Sequence, residues 1–309
     1  MVITLTVNPA IDRTISVDRL VFEDRAYITS SHESAGGRGI NASFVIHSFG
    51  GQTKAIVPAG GKSGTHFADL VKASGFELVV VPVNSGVRHN LILTDKQGLT
   101  IKLNEPGAPL EKPELARLEK EIRAQLDNAT WLLLCGSLPP GVPAKFYAQL
   151  IKLARKRGVK TLLDTDGDAL EAGIAAKPTV VKPNLQEAER LLKSALLTRT
   201  HFLHAVERMQ KMGAECVILS LGSQGAVGAV DHQMIEVNPP RVDAIAPIGA
   251  GDALAAAFAW SMERDNDFRH AIRWGVAAGT ASARLPGMRF ANLAETEEIY
   301  KQVDVRQVE

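Results

Sequence analysis

Seven short apolar runs, each bounded by turn residues, alternate with longer helical patterns along this chain. The runs are Val2–Val7, Thr53–Pro58, Glu77–Pro82, Thr130–Cys135, Lys160–Asp164, Thr179–Lys182 and Glu215–Ser220. Helical periodicity fills Gly39–Phe49, Thr65–Ser74, Lys112–Asn128, Ala144–Arg157, Gln186–Lys193 and His201–Met212. This alternation predicts an α/β fold: a mostly parallel sheet of buried strands with helices on both faces. Folds of this kind bind ligands beyond the carboxyl ends of their strands.

Two stretches break the alternation. Thr14–Ser31 and His89–Asn104 are polar-alternating and hairpin-like, with Asp95-Lys96-Gln97-Gly98 as a turn between Leu91–Thr94 and Leu99–Lys102. They predict a small second sheet projecting as a lid, or a plain surface insertion.

Pro247-Ile248-Gly249-Ala250-Gly251-Asp252 runs straight into the alanine-rich stretch Ala253–Trp260. Alanine favours helix, and its small side chain lets a helix pack closely. Gly249 and Gly251 remove two Cβ atoms at the entry to that helix, so backbone N–H groups there can approach a ligand. The first N–H groups of a helix lack internal partners and sit at the positive end of its dipole, which makes an anion site beside the Asp252 carboxylate. A phosphoryl group in transfer spreads negative charge over its oxygens, so such donors with a base aligned on the acceptor hydroxyl suit phosphoryl transfer. A lid would keep water from the donated group. The alternative is a turn with Asp252 capping the helix.

Further candidates carry two readings each. Gly36-Gly37-Arg38-Gly39-Ile40-Asn41 is a second glycine-rich turn into a helix, in which Asn41 could hold hydroxyls and Arg38 meet an anion, or it is a simple turn. Asp12, after Asn8-Pro9 at the end of the first strand, could accept two hydroxyl hydrogens or form an Asx turn. Arg25, Arg38, Arg88 and Lys102 lie in or beside the lid and, if they converge, suit a phosphorylated substrate. In Lys182-Pro183-Asn184-Leu185-Gln186-Glu187, Asn184 and Glu187 could position water around a magnesium ion, or form a capping box. Leu219–Gly225 could cradle nucleotide phosphates or ribose, or turn a hairpin into Ala226–Val230. Gly60-Gly61-Lys62-Ser63 is not a P-loop, because Ile56 stands where that motif needs its first glycine. His201 and His204 lack a third ligand and predict no metal site.

Composition narrows the class. With 309 residues, 45% hydrophobic and 22% charged, the chain can bury a sizeable core. A formal charge of +1 argues against a nucleic-acid or membrane partner recruited by charge. Cys135 and Cys216 stand far apart in apolar runs, which fits a reduced compartment without disulfides. The start shows no signal-peptide pattern and no apolar run nears the roughly 20 residues of a membrane span, so a cytoplasmic protein is expected.

In order and spacing, Thr6–Asp12, Gly36–Asn41, Val87-Arg88-His89-Asn90, Asn104-Glu105-Pro106-Gly107, Gly136–Gly141, Lys182-Pro183-Asn184, Gly249–Asp252 and Gly275–Gly279 together resemble the ribokinase-like (PfkB) sugar kinases. The resemblance is to the branch that phosphorylates sugar phosphates: 1-phosphofructokinase, tagatose-6-phosphate kinase and the minor 6-phosphofructokinase. It implies one domain over residues 1–309, a three-layer α/β/α sandwich, with lid insertions at about 13–34 and 86–105 that often clasp a homodimer. It implies Asp252 as the base, with Gly249, Ala250 and Gly251 as the anion hole. Asp12, Gly36, Gly37, Asn41 and Ser137 then fall on the sugar, and Arg25, Arg38, Arg88, Asn90 and Lys102 around the substrate and its phosphate. Lys182, Asn184, Ser220, Gly222, Gly225 and Ala278 fall on ATP, and Glu187 with Asn184 on magnesium through water. Some members also bind potassium beside the anion-hole loop. The reaction implied is ATP-dependent phosphorylation of fructose 1-phosphate, with fructose 6-phosphate, tagatose 6-phosphate, an unphosphorylated sugar or a non-catalytic sensor as alternatives.

The chain departs from the family pattern at four places. Arg38 replaces a usual lysine, putting a fork where a point charge stands. Pro247-Ile248 replaces Thr-Val, removing an N–H beside the cation-binding loop. Ala253 follows the base in place of serine, and Cys135 precedes Gly136 where serine is common.

Overall fold

A computed structural model describes residues 1–21, 23–231 and 233–308. In chain order the strands are β1 (Val2–Thr6), β2 (Ala10–Val17), β3 (Ile28–Gly36), β4 (Thr53–Gly60), β5 (Glu77–Gly86), β6 (Arg88–Asp95), β7 (Thr100–Asn104), β8 (Trp131–Cys135), β9 (Lys160–Asp164), β10 (Val180–Val181), β11 (Cys216–Ser220), β12 (Ala226–Val230), β13 (Gln233–Asn238) and β14 (Asp304–Gln307). The helices are α1 (Arg38–Ser48), α2 (Gly61–Lys72), α3 (Lys112–Gln125), α4 (Phe146–Lys156), α5 (Gly167–Ala175), α6 (Leu185–Leu192), α7 (Arg199–Met212), α8 (Ala250–Asp265), α9 (Phe268–Ala283) and α10 (Leu293–Tyr300).

The large sheet has the order β14-β13-β12-β11-β10-β9-β8-β1-β4-β5. From β5 to β11 every neighbouring pair is parallel, and β12, β13 and β14 continue it antiparallel. All seven strands predicted from the apolar runs lie in the parallel part. The hairpin reading of Ala226–Val230 answers to β12, whereas β13, β14, α5, α9 and α10 extend beyond the predicted elements.

Alternation along β8 shows why both faces are covered. Leu132 and Leu134 pack into a core with α3 and α4, through Leu118, Ile122 and Leu150. Trp131, Leu133 and Cys135 pack on the other side with α1, α8 and α9. Every residue of α8 from Ala253 to Met262 is buried, as the alanine run requires. Burying both faces of one sheet removes several thousand Å² of apolar surface from water, the main force holding these layers together.

The second sheet has the order β3-β2-β6-β7. Its first two strands reach Ala10 and Gly36, slightly wider than the predicted 13–34 insertion, while β6 and β7 lie within 86–105; residue 22 of the first stretch lies outside the described residues. Among the described residues no helix is long and apolar enough to cross a membrane.

Candidate active site

The site forms where β1, β8, β9, β10 and β11 end and α1, α6 and α8 begin. Gly249 caps α8 at φ 80°, a left-handed conformation that other residues adopt only at a cost. A Cβ there would also stand 2.8 Å from the Phe290 ring. The N–H groups of Gly249 and Gly251 have no partner among the described residues. Those of Ala250 and Asp252 donate to the Pro247 and Gly249 carbonyls at 3.3 and 3.0 Å. Of the three amides expected in the anion hole, that of Ala250 is turned to Pro247.

Asp252, in the first turn of α8, is partly exposed. The Asn41 side-chain amide donates to its Oδ2 at 2.7 Å. Burial and, next, the negative charge of Asp164 push its pKa up to about 6, against the opposing pull of Arg38, Asn41 and Lys182. A carboxylate with that proton affinity is ionised at neutral pH yet still able to take a proton.

The guanidinium of Arg38 is already engaged by carboxylates. It donates to Asp164 Oδ1 at 2.9 Å, Asp166 Oδ2 at 3.2 Å and Glu187 Oε1 at 3.0 Å. Asp164 is the hub: its other oxygen pairs with Lys182 Nζ at 3.2 Å, and both partners are almost fully buried. Lys182 Nζ in turn lies 3.6 Å from where a Cβ on Gly251 would be, at the mouth of α8.

On the lid side, Asp12 is buried, and Asn90 Nδ2 donates to its Oδ1 at 2.7 Å. Burial raises the proton affinity of Asp12, partly offset by Asn90 and the Arg88 charge. Its Oδ2 fills the place of a Cβ on Gly36, at 2.0 Å, so only glycine fits there. The registers Ala10↔Arg88, Asp12↔Asn90 and Ile92↔Lys102 put Arg88, Asn90 and Lys102 on one face of the lid, together with Asp12. Arg88 Nη1 donates to the Glu105 carbonyl at 2.6 Å. Arg88 Nε and Asn90 Oδ1 are buried without a partner among the described residues, an orphaned donor and acceptor beside Asp12. Asn8 bridges the two sheets, donating to the Pro106 carbonyl at 3.1 Å and to Ser137 Oγ at 3.3 Å. Gly37 lies against Thr6 as the N-cap of α1. Arg25 is not brought to this cluster: it is exposed in the loop after β2. Five residues of strand carry the chain about 16 Å beyond Asp12 before that loop begins.

On the opposite side, Asn184 and Glu187 form the predicted capping box of α6. Glu187 N donates to Asn184 Oδ1, and Asn184 N to Glu187 Oε2, both at 2.9 Å. Both Glu187 oxygens are thus engaged, one by the cap and one by Arg38. Among the described residues no group of three His, Cys, Asp or Glu stands ready to hold a metal directly. Yet among the described residues four carboxylates, Asp164, Asp166, Glu187 and Asp252, have Arg38 and Lys182 as their cationic neighbours, a charge excess that fits a divalent cation held through water. Ser220 bridges to Asn184, and Gly222 and Gly225 turn β11 into β12 next to them. Ala278 is buried in the core shared by α8 and α9.

The model of the pfkB family carbohydrate kinases matches residues 2–295 of this sequence. The chain belongs to that family. It is 32% identical over 300 residues to the ATP-dependent 6-phosphofructokinase isozyme 2 of Escherichia coli K12, covering 96% of this chain and 97% of the relative. Crystal structures of E. coli phosphofructokinase-2, in complex with potassium and with fructose-6-phosphate, superpose with TM-scores of 0.90 and 0.89 and cover 97% of this chain and 98% of theirs. A possible 1-phosphofructokinase from Thermotoga maritima shares the fold at 23% identity, with a TM-score of 0.92 and full coverage of both chains. The chain is thus a carbohydrate kinase, a phosphotransferase acting on a sugar hydroxyl, with the ribokinase-like fold the resemblance implied.

Asp164, Asp166, Asn8 and Glu105 are the site residues that sequence reasoning passed over. Asp164 left one legible signal: it is an acidic residue closing an otherwise apolar strand, at the sheet edge where such folds hold ligands.

Proposed function

We propose that this kinase transfers the γ-phosphoryl group of ATP to a free hydroxyl of a phosphorylated ketohexose. The observation that carries this reading is Asp252 at the mouth of α8, tethered by Asn41 and flanked by the N–H groups of Gly249 and Gly251, which are unpartnered among the described residues. As the sugar oxygen bonds to phosphorus and the bridging P–O bond of ATP breaks, Asp252 takes the hydroxyl proton. The glycine amides and Lys182 meet the negative charge on the transferring group. Magnesium bound with the nucleotide supplies positive charge across its phosphates, and Glu187 and Asn184 would hold it through water. Ser220, Gly222 and Gly225 would line the nucleotide.

Asp12 and Asn90 accept and donate to sugar hydroxyls, with Asn41 and Ser137 alongside, and Arg88 and Lys102 on the same lid face meet the phosphate the substrate already carries. Fructose 6-phosphate takes precedence over the fructose 1-phosphate expected from the resemblance, because the relative with 32% identity is named for it and its solved complex holds it. Potassium beside the Pro247 loop belongs to the same reading, from the E. coli potassium complex. So does a homodimer through the lid, supported by apolar side chains the lid leaves exposed: Tyr27, Ile28, Leu99 and Leu103. Nucleotide consumption measured across a panel of sugars and sugar phosphates tests the proposal. The highest kcat/KM should fall on fructose 6-phosphate. Turnover confined to unphosphorylated sugars, or none at all, would overturn it.

A further inference from the structure

Arg38 and Asn41 are three residues apart in the first turn of α1, and so share one face of that helix. Asn41 donates to Oδ2 of Asp252, and Arg38 is clamped by three carboxylates from three other elements. Asp164 closes β9, Asp166 lies two residues on as the N-cap of α5, and Glu187 sits in the first turn of α6. Two of the three are almost fully buried, so the clamp is not a solvated surface pair. Gly37, immediately before it, offers no side-chain cap to the start of α1. The fork of Arg38 adds a polar anchor to a helix end that Gly39 and Ile40 also pack in place.

We propose that Arg38 is a positioning residue for the base: by anchoring the first turn of α1 to Asp164, Asp166 and Glu187, it holds the Asn41 amide on Oδ2 of Asp252 and leaves Oδ1 for the sugar hydroxyl. This rests on Asp252 being the base. It gives Arg38 a task away from the substrate and explains why a fork stands where a point charge would reach fewer partners. The anchor also acts through charge. Asp252 is faced by Arg38 and Asn41 from α1, Asp164 from β9, Lys182 from the turn after β10 and the Cys135 thiol from β8. Among these, Arg38, Asn41 and Lys182 favour the ionised carboxylate, and Asp164 opposes it.

Three variants separate position from charge when kcat and kcat/KM are followed from pH 5 to 9 at saturating nucleotide. Arg38→Lys keeps the charge and loses the fork: kcat should fall about tenfold while the acid limb of kcat/KM stays in place. Arg38→Ala should lower kcat further and move the acid limb up by about half a pH unit or more, because a cation near the carboxylate is gone. Asp166→Asn removes the most exposed carboxylate of the clamp and should lower kcat only about two- to threefold, without moving the limb. If Arg38→Ala does not fold, the lysine variant still decides the positional claim. Wild-type kcat in Arg38→Lys, or an unmoved limb in folded Arg38→Ala, overturns the proposal. Asp252→Asn, run beside them, tells the two failures apart: if it keeps wild-type turnover, the base assignment itself has failed.

Discussion

The side-chain nitrogen of Asn41 stands 2.7 Å from Oδ2 of Asp252, joining two glycine-rich turns separated by 211 residues of chain. One carboxylate oxygen is thereby spoken for and the other is left for chemistry. Replacing Asp252 with Asn keeps the shape and removes the proton acceptor. Turnover should drop by about three orders of magnitude with little change in the dissociation constants of sugar phosphate and nucleotide. Steady-state kinetics with equilibrium binding checks this, and near-normal turnover rejects the assignment.

The raised proton affinity of Asp252 also sets a pH window. Activity that needs the ionised base should decline as pH falls through about 6. For stability the sign runs the other way. A carboxyl held above its ordinary value of 3.8 contributes stability fully below that value, and loses it as pH rises through about 6. Asp252→Asn should therefore be more stable than the wild type at pH 8, by ~2 kcal/mol, with the gap closing near pH 4. Urea titrations at both pH values read this directly, and a constant gap contradicts it.

Arg88 has one donor on the Glu105 carbonyl and its buried Nε unpartnered among the described residues. Arg88→Ala should raise KM for the sugar phosphate at least about tenfold and leave KM for ATP nearly unchanged, since a charge-assisted pair to phosphate is lost on one side only. Equal effects on both substrates would argue against a phosphate clamp in the lid.

Gly36 admits no side chain because Asp12 Oδ2 occupies the space of its Cβ. In Gly36→Ala the carboxylate must move off the Asn90 amide or the strand must shift. Stability should fall by about 1–3 kcal/mol and KM for the sugar phosphate should rise, with nucleotide binding spared. A thermal melt together with calorimetric nucleotide titration separates these effects; unchanged sugar KM would remove Asp12 from the substrate site.

On the face of the lid opposite Asp12, β7 presents Leu103, 53% exposed. Leu103→Lys puts a charge into the proposed clasp and should shift the sedimentation coefficient from dimer to monomer at micromolar concentration. A wild-type chain that sediments as a monomer would dismiss the clasp.

The fold was legible because its signals are local. Buried parallel strands must be apolar at nearly every position, and α8 must be small-sided to pack on all sides, so Val2–Thr6, Trp131–Cys135 and the alanine run declare themselves by composition alone. The capping box of Asn184 and Glu187 is equally local, a spacing of three residues. Only the tertiary structure could decide what Arg38 touches. Its partners lie 126, 128 and 149 residues away, and a guanidinium beside glycines reads the same whether it waits for a phosphate or is already held by carboxylates. Sequence determined which groups stand at helix mouths and strand ends. Which of them face each other, and so which charges are already paired and which are left for a ligand, depends on how the strands cross over, and long-range Coulomb and hydrogen-bond partners leave no mark on neighbouring residues.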